Sequence, residues 1–231
     1  MSVALITGGS RGFGVAVARE LVARDWDVVL DARDERALQN AAATLGPRAV
    51  AIAGDVSDPA HRRELIDAVD RYDSLDLLVN NASSLGPTPL PGLDRYPLGA
   101  LEDVYRVNVL APLALIQALL PNLSAANGTI VNVTSDAALE AYEGWGGYGS
   151  SKAALDQITA VLGAEQGALR VYAFDPGDMR TEMHQAAFPG EDISDRDEPE
   201  AVVGSFMRLL EQAPPSGRYR RADFDAVVET A

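Results

Sequence analysis

The 231-residue chain contains no cysteine, which excludes disulfides, thiolate nucleophiles and cysteine-ligated metals. Its two histidines, His61 and His184, stand too far apart in sequence to suggest a metal centre, so no metal is expected. No uninterrupted apolar run has the length of a membrane span, and on that ground a spanning helix is not expected. The short apolar run at residues 1–7 meets Gly8-Gly9 at once and reads as a strand, not as a secretory leader. Positive charge is scarce as well. Nineteen basic residues face 34 acidic ones, for a net charge of −15. Such a surface repels phosphodiester backbones and anionic lipid, so neither a nucleic acid nor a membrane is an expected partner. A cytoplasmic location is the simplest reading. Any phosphate-bearing ligand has to be held by locally concentrated donors and arginines.

The rarest charged residue is the most informative. Eighteen of the basic residues are arginine and one is lysine, Lys152. A position that keeps an ammonium in so arginine-biased a chain is one where a compact, rotatable group of tunable pKa is required. A planar, permanently charged guanidinium does not replace it.

Apolar runs of strand length alternate with helical spacing along the whole chain, the pattern of an α/β fold with a parallel sheet. Strands are read at residues 3–7, 27–32, 49–53, 75–79, 129–133 and 170–174, with a last edge strand at 218–221. Helices are read at 13–24, 35–45, 58–71, 101–120, 148–164 and 201–212. The expectation is one Rossmann-like domain over residues 1–231, a doubly wound parallel sheet of about seven strands with helices on both faces. Two stretches break the rhythm. Residues 85–99 hold four prolines and three glycines and read as a loop. Residues 188–200 are acidic, with Pro189, Gly190 and Pro199, and read as a mobile loop. In open parallel sheets ligands lie beyond the carboxyl ends of the strands, where such loops gather.

Between the first strand and first helix lies Thr7-Gly8-Gly9-Ser10-Arg11-Gly12-Phe13-Gly14. Glycine permits left-handed backbone and close approach to a pyrophosphate, and a helix starting near Gly12 aims free N–H groups at that anion. Three spaced glycines are weak in isolation; their place in the first strand–helix turn makes them a dinucleotide fingerprint. The second strand ends Leu30-Asp31-Ala32-Arg33. An acid pointing into the site there suits the ribose 2′-hydroxyl of NAD, whereas an arginine suits the 2′-phosphate of NADP. Arg33, with Arg11 facing it from the glycine loop, favours NADP(H); NAD(H) stays open through Asp31.

These motifs resemble those of the short-chain dehydrogenase/reductase family over most of the chain. Thr7 to Gly14 is similar to its variant fingerprint. Asp55-Val56 matches its adenine contact, and Asn80-Asn81-Ala82 matches its Asn-Asn-Ala-Gly motif, with Ser83 in place of the glycine. Asn108 falls where the family keeps an asparagine on its long helix, and Ser135 ends the fifth strand. Tyr148-Gly149-Ser150-Ser151-Lys152 matches its Tyr-x-x-x-Lys motif. Pro176-Gly177, with Met179 and Thr181, matches the stretch at the nicotinamide end.

The Tyr–Lys spacing has its own rationale. Residues four apart share a helix face, so Lys152 lies about one turn beyond Tyr148. A free phenol has a pKa of ~10; a neighbouring ammonium is expected to stabilise phenolate and lower that value. Tyr148 then gives a proton to a forming alkoxide or removes one from an alcohol. The resemblance implies that Lys152 also binds the nicotinamide ribose, Ser135 holds the substrate oxygen, and Asn108 relays protons through water. It further implies a small carbonyl or alcohol substrate and a homodimer or homotetramer. A non-catalytic cofactor-binding regulator is expected to lose Tyr148 or Lys152, and both are present. Nucleotide-sugar isomerases and dehydratases using the same pair are usually longer, with a carboxyl-terminal substrate domain.

Overall fold

The computed structural model describes residues 1–225. Of the carboxyl-terminal ending, residues 226–231 lie outside the described residues.

The chain alternates strand and helix: β1 (Val3–Ile6), α1 (Gly12–Ala23), β2 (Asp27–Ala32), α2 (Glu35–Leu45), β3 (Ala49–Ala53), α3 (Pro59–Val69) and β4 (Leu77–Asn80). Then follow α4 (Leu98–Tyr105), a π-helical turn (Arg106–Leu110), α5 (Ala111–Ala126), β5 (Thr129–Val133) and α6 (Gly146–Glu165). The last are β6 (Arg170–Asp175), α7 (Glu182–Ala187), α8 (Pro199–Gln212) and β7 (Gly217–Arg220). The strands form one seven-stranded sheet in the order β3-β2-β1-β4-β5-β6-β7, parallel at each pairing.

A parallel sheet covered on both faces buries both sides of each strand, so its strands read as unbroken apolar runs. Val3 to Ile6 and Leu77 to Val79 are accordingly at most 2% exposed. One face packs Phe13, Phe174 and Phe206 with α1 and α8 residues; the other packs Leu65, Leu115, Ile116 and Leu119. Helix starts are set locally. Asp34 caps α2 by accepting from Ala37 N at 3.0 Å, and Asp58 caps α3 with Pro59 in the first turn. β1 pairs with β2 on one side and β4 on the other, so the chain winds outward in both directions from this point. The crevice opens there, past the carboxyl ends.

The structure departs from the sequence reading in three places. Residues 85–99 include a 3₁₀ turn (Leu93–Arg95) and the start of α4. Pro97 immediately precedes that helix, where its missing N–H breaks no helical bond. The stretch 182–187, unassigned from sequence, forms α7, started by Thr181 accepting from His184 N at 3.1 Å. Finally, Leu98–Ala126 forms a continuous helical stretch long and apolar enough, by length and composition, to cross a membrane. A helix is read at 101–120, and its spanning length is not expected because Asn108 and neighbouring polar residues break the uninterrupted apolar runs. In this fold its residues Leu115, Ile116, Leu119 and Leu123 pack on the sheet.

Candidate active site

A cleft of about 1060 Å³ opens along the carboxyl ends of the strands. At one end it is lined by the glycine turn (Gly8, Ser10, Arg11, Gly12 and Phe13), by Arg33, and by Asp55 and Val56. Gly8 has φ +67° and Gly12 φ +57°, left-handed values that disfavour side chains. A Cβ on Gly8 would stand 2.9 Å from Asn81 Nδ2 and 3.0 Å from Ala82 Cα. Gly14, outside the cleft lining, abuts the Gly8 carbonyl so closely that no Cβ fits. The turn is therefore a bare main-chain cradle, pinned from beneath. Asn81 Nδ2 donates to the carbonyls of Thr7 (2.9 Å) and Gly8 (3.1 Å). Thr7 Oγ1 accepts from the N–H groups of Asn81 and Ala82, both at 3.0 Å. Thr7, expected at the cofactor, is instead 2% exposed and outside the cleft lining. It joins the ends of β1 and β4. Phe13 likewise turns its ring into the core against Phe174 and Phe206, leaving the first turn of α1 to face the cleft.

Asp31 and Arg33 both line the cleft and differ in their partners. Asp31 is 1% exposed. Its Oδ1 accepts from Gly8 N at 2.8 Å and its Oδ2 lies 3.1 Å from His61 Nε2. Both oxygens are engaged below the cradle. Arg33 is exposed on the cleft wall. Arg11 lines the same wall and is already paired with Glu182 on α7 and, at 3.7 Å, with Asp34.

At the other end the groups are buried. Tyr148 and Lys152 lie on one face of α6, 8% and 2% exposed, with Nζ 5.5 Å from the phenol ring centroid. Lys152 Nζ donates to the Val133 carbonyl at 2.7 Å, and burial lowers its pKa to about 8 against the pull of Asp156 and Asp175. Burial pushes the Tyr148 phenol well above its ordinary value, while the neighbouring Ser83 and Ser135 hydroxyls pull it down. This corrects the expectation that Lys152 lowers the phenol. The ammonium is tethered to a main-chain carbonyl beside the ring and is itself weakened by desolvation, so burial wins.

Ser135 is half-buried at the cleft, its hydroxyl donating to Asp136 Oδ1 at 2.9 Å. Asn81, Ala82, Pro176, Gly177, Met179 and Thr181 complete the lining. Asn108 is 1% exposed and outside that lining. Its side chain is fully occupied: Oδ1 accepts from Ser84 N (2.8 Å) and Ser83 Oγ (3.2 Å). Its Nδ2 donates to the Ser84 carbonyl and Ser151 Oγ, both at 2.9 Å. Asn108 lies in the π-helical turn Arg106–Leu110.

Three contributors stand beyond the site residues assigned from sequence. Ser83, noted only as a departure from the family glycine, places its hydroxyl among Tyr148 and Asn108. Trp145 stacks edge-on to Tyr148 at 5.7 Å and meets Phe188 at 5.8 Å, which in turn lies 4.9 Å from His184. Trp145, with Leu85 and Ala187, forms an apolar wall at the end of the cleft where Tyr148 stands, and Phe188 packs on Trp145 outside that lining. The acidic stretch beyond α7 is tied back by a bridge between Met179 and Asp197 and by the Arg180–Glu198 and Arg196–Asp178 pairs. Tertiary pairing of this kind leaves no periodicity in the sequence.

Comparison with known proteins agrees with this geometry. A family profile described as short chain dehydrogenase matches residues 2–192. An uncharacterized oxidoreductase of Saccharomyces cerevisiae is 33% identical over 78% of this chain and 72% of its own length. Sepiapterin reductase of Mus musculus is 33% identical over 80% of this chain and 77% of its own. A short chain dehydrogenase structure from Shigella flexneri, complexed with NADP, superimposes with a TM-score of 0.89 at 27% identity. It covers 96% of this chain and 97% of the other.

Proposed function

The chain belongs to the short-chain dehydrogenase/reductase family, and from that premise we propose that it is an NADP(H)-dependent oxidoreductase interconverting a ketone or aldehyde with its alcohol. One observation carries the reading: a phenol and the chain's lone ammonium are buried together at one end of a cleft whose other end is a side-chain-free glycine cradle.

The residues fit a dinucleotide. The cradle presents main-chain N–H groups at the start of α1, where an anion is favoured, and it has no room for a Cβ at Gly8 or Gly14. Arg33 would hold the 2′-phosphate, since both Asp31 oxygens are engaged elsewhere. Asp55 and Val56 would meet the adenine, and Pro176, Gly177, Met179 and Thr181 the nicotinamide end. NADPH bound there supplies a hydride, chemistry that belongs to the cofactor.

The chain's own residues do the rest. The Ser135 hydroxyl orients the substrate oxygen. Tyr148, kept protonated by its buried setting, donates its proton to that oxygen as the alkoxide forms. Lys152 holds the ribose side and carries the positive charge that favours the phenolate left behind. Asn108 fixes the Ser83–Ser84 turn and offers its main chain to a proton-carrying water. The apolar wall of Trp145, Leu85 and Ala187, with Phe188 packed on Trp145, suits an apolar group beside the carbonyl. By the same family reading, the protein is a cytoplasmic homodimer or homotetramer.

Fluorescence titration with NADPH and NADH, followed by a spectrophotometric screen of ketones, aldehydes and alcohols, tests the proposal. Tighter binding of NADPH and turnover of at least one carbonyl are expected. A clear preference for NADH would overturn the role of Arg33.

A further inference from the structure

Beyond the residues matched by the family profile, β7 returns one side chain to the catalytic end of the cleft. Arg218 Nε donates to Asp156 Oδ2 at 3.0 Å, and Nη2 donates to the Ser135 carbonyl at 3.0 Å and Asp175 Oδ2 at 2.9 Å. All three side chains are largely buried, at 20% exposure for Arg218, 12% for Asp156 and 6% for Asp175. Each partner adjoins a residue of the proposed machinery. Asp156 is one turn beyond Lys152 on α6. Asp175 precedes Pro176-Gly177 and accepts from Gly177 N at 3.0 Å through Oδ1. The carbonyl is that of Ser135 itself.

We propose that Arg218 is a positioning residue for the reaction: its guanidinium clamps the ends of β5 and β6 to α6 and holds two carboxylates behind Lys152. The inference rests on the reading of Tyr148 and Lys152 as the proton-transfer pair.

Two physical arguments support a role in turnover beyond mere packing. A planar fork reaching three acceptors fixes relative position as well as charge, which an ammonium cannot do. A shift of about 1 Å between reacting groups can cost about a hundredfold in rate. Charge supplies the second argument. Lys152 faces Tyr148 and Asp156 on its own helix, the Val133 carbonyl on β5 and Asp175 on β6, and Arg218 on β7 holds both of those carboxylates. Asp156 and Asp175 both raise its pKa against desolvation, and Arg218 is the counter-ion that lets two buried carboxylates persist. Ammonium, guanidinium and two carboxylates sum to no net charge.

The test compares Arg218→Met, Arg218→Lys, Asp156→Asn and Tyr148→Phe in the full chain with NADPH and a ketone that the wild type reduces. Arg218→Met is expected to lower kcat by about tenfold or more, with NADPH affinity within about threefold of wild type. Arg218→Lys restores only part of the loss. Asp156→Asn removes a charge that raises Lys152, so the alkaline limb of kcat moves to lower pH, which a purely structural role would not do. A folded Arg218→Met with kcat within about twofold of wild type, or an unmoved limb in Asp156→Asn, overturns the proposal. If Arg218→Met does not fold, Arg218→Lys and the Asp156→Asn profile decide. Full turnover by Tyr148→Phe would bring down the underlying reading and this one with it. An inactive Tyr148→Phe beside a normal Arg218→Met would sink this inference alone.

Discussion

The two ends of the cleft handle charge in opposite ways. At the glycine cradle the charged side chains, Arg11 and Arg33, are exposed, and the anion-binding groups are main-chain N–H dipoles. Around Tyr148 the charges are buried and balanced against one another, and burial is the largest cause moving both the phenol and the ammonium away from their ordinary values. Water screens the first end and is excluded from the second. Substitutions at the first should therefore appear as cofactor affinity and selectivity, and those at the second as turnover and pH dependence.

The largest effect separates the two ends directly. Tyr148→Phe removes the proton donor and leaves the cradle intact, so kcat should fall about 10²- to 10⁴-fold while NADPH still binds. Steady-state kinetics with a parallel fluorescence titration read both quantities. Direction of reaction gives a second handle on the same residue. Burial holds the phenol protonated, so ketone reduction should be insensitive to pH around neutrality. Alcohol oxidation needs the phenolate, and its rate should climb as the medium is made alkaline. An oxidation rate flat from pH 7 to 10 would contradict the assignment.

Next in size is the cost of burying Lys152. Its folded pKa of about 8 lies below the ordinary lysine value of 10.5. Between those values the unfolded chain binds more protons than the folded one, so stability rises with pH through that window. At and below pH 8 the charged side chain is a burden, relieved as the group neutralises. Urea unfolding followed from pH 8 to 10 should show a gain on the order of 1–3 kcal/mol, absent in Lys152→Met. Equal slopes for the two proteins would mean that the ammonium is better solvated than its burial indicates.

The same contrast explains what could be read from sequence. The cradle and the Tyr–Lys pair are local, since their spacing within one turn or one helix face dictates their meeting. The strands were legible because a doubly covered parallel sheet demands unbroken apolar runs. Long-range partners were not legible. Nothing in the sequence connects Asp31 with Gly8 and His61, or Arg218 with Ser135, because those contacts arise only when distant segments are folded together. The pKa of Tyr148 was misjudged for a related reason: i, i+4 spacing gives proximity but not burial. Counting apolar runs also understated the helix read at 101–120, which continues over Leu98–Ala126, since helices bury a stripe and tolerate polar interruptions.

Among the smaller effects, Arg33→Ala should raise KM for NADPH by about tenfold, the loss of one charge-assisted hydrogen bond, with little change for NADH. The measured quantity is the ratio of the two kcat/KM values. An unchanged ratio would show that the arginine does not meet the 2′-phosphate.

Asp31 supplies the sharpest test of the comparison, because by sequence position alone it belongs with Arg33 as a selector between cofactors. Its contacts say otherwise. One oxygen receives Gly8 N and the other faces His61, and the side chain is buried, whereas Arg33 on the same cleft is exposed. Removing the carboxylate leaves the Gly8 N–H without an acceptor and a buried imidazole nitrogen without a partner, a penalty of about 1–3 kcal/mol for each unsatisfied group before water enters. The cradle should loosen for any dinucleotide. Asp31→Ala is therefore expected to weaken NADPH and NADH by a similar factor, roughly threefold to tenfold, and to leave their ratio where it was. Asp31→Asn keeps an oxygen for Gly8 N and an amide for the imidazole, so it should recover most of the affinity. A selective gain for NADPH in Asp31→Ala would mean that the carboxylate reaches the ribose after all, and the division between a pinned cradle and a selecting wall would fail.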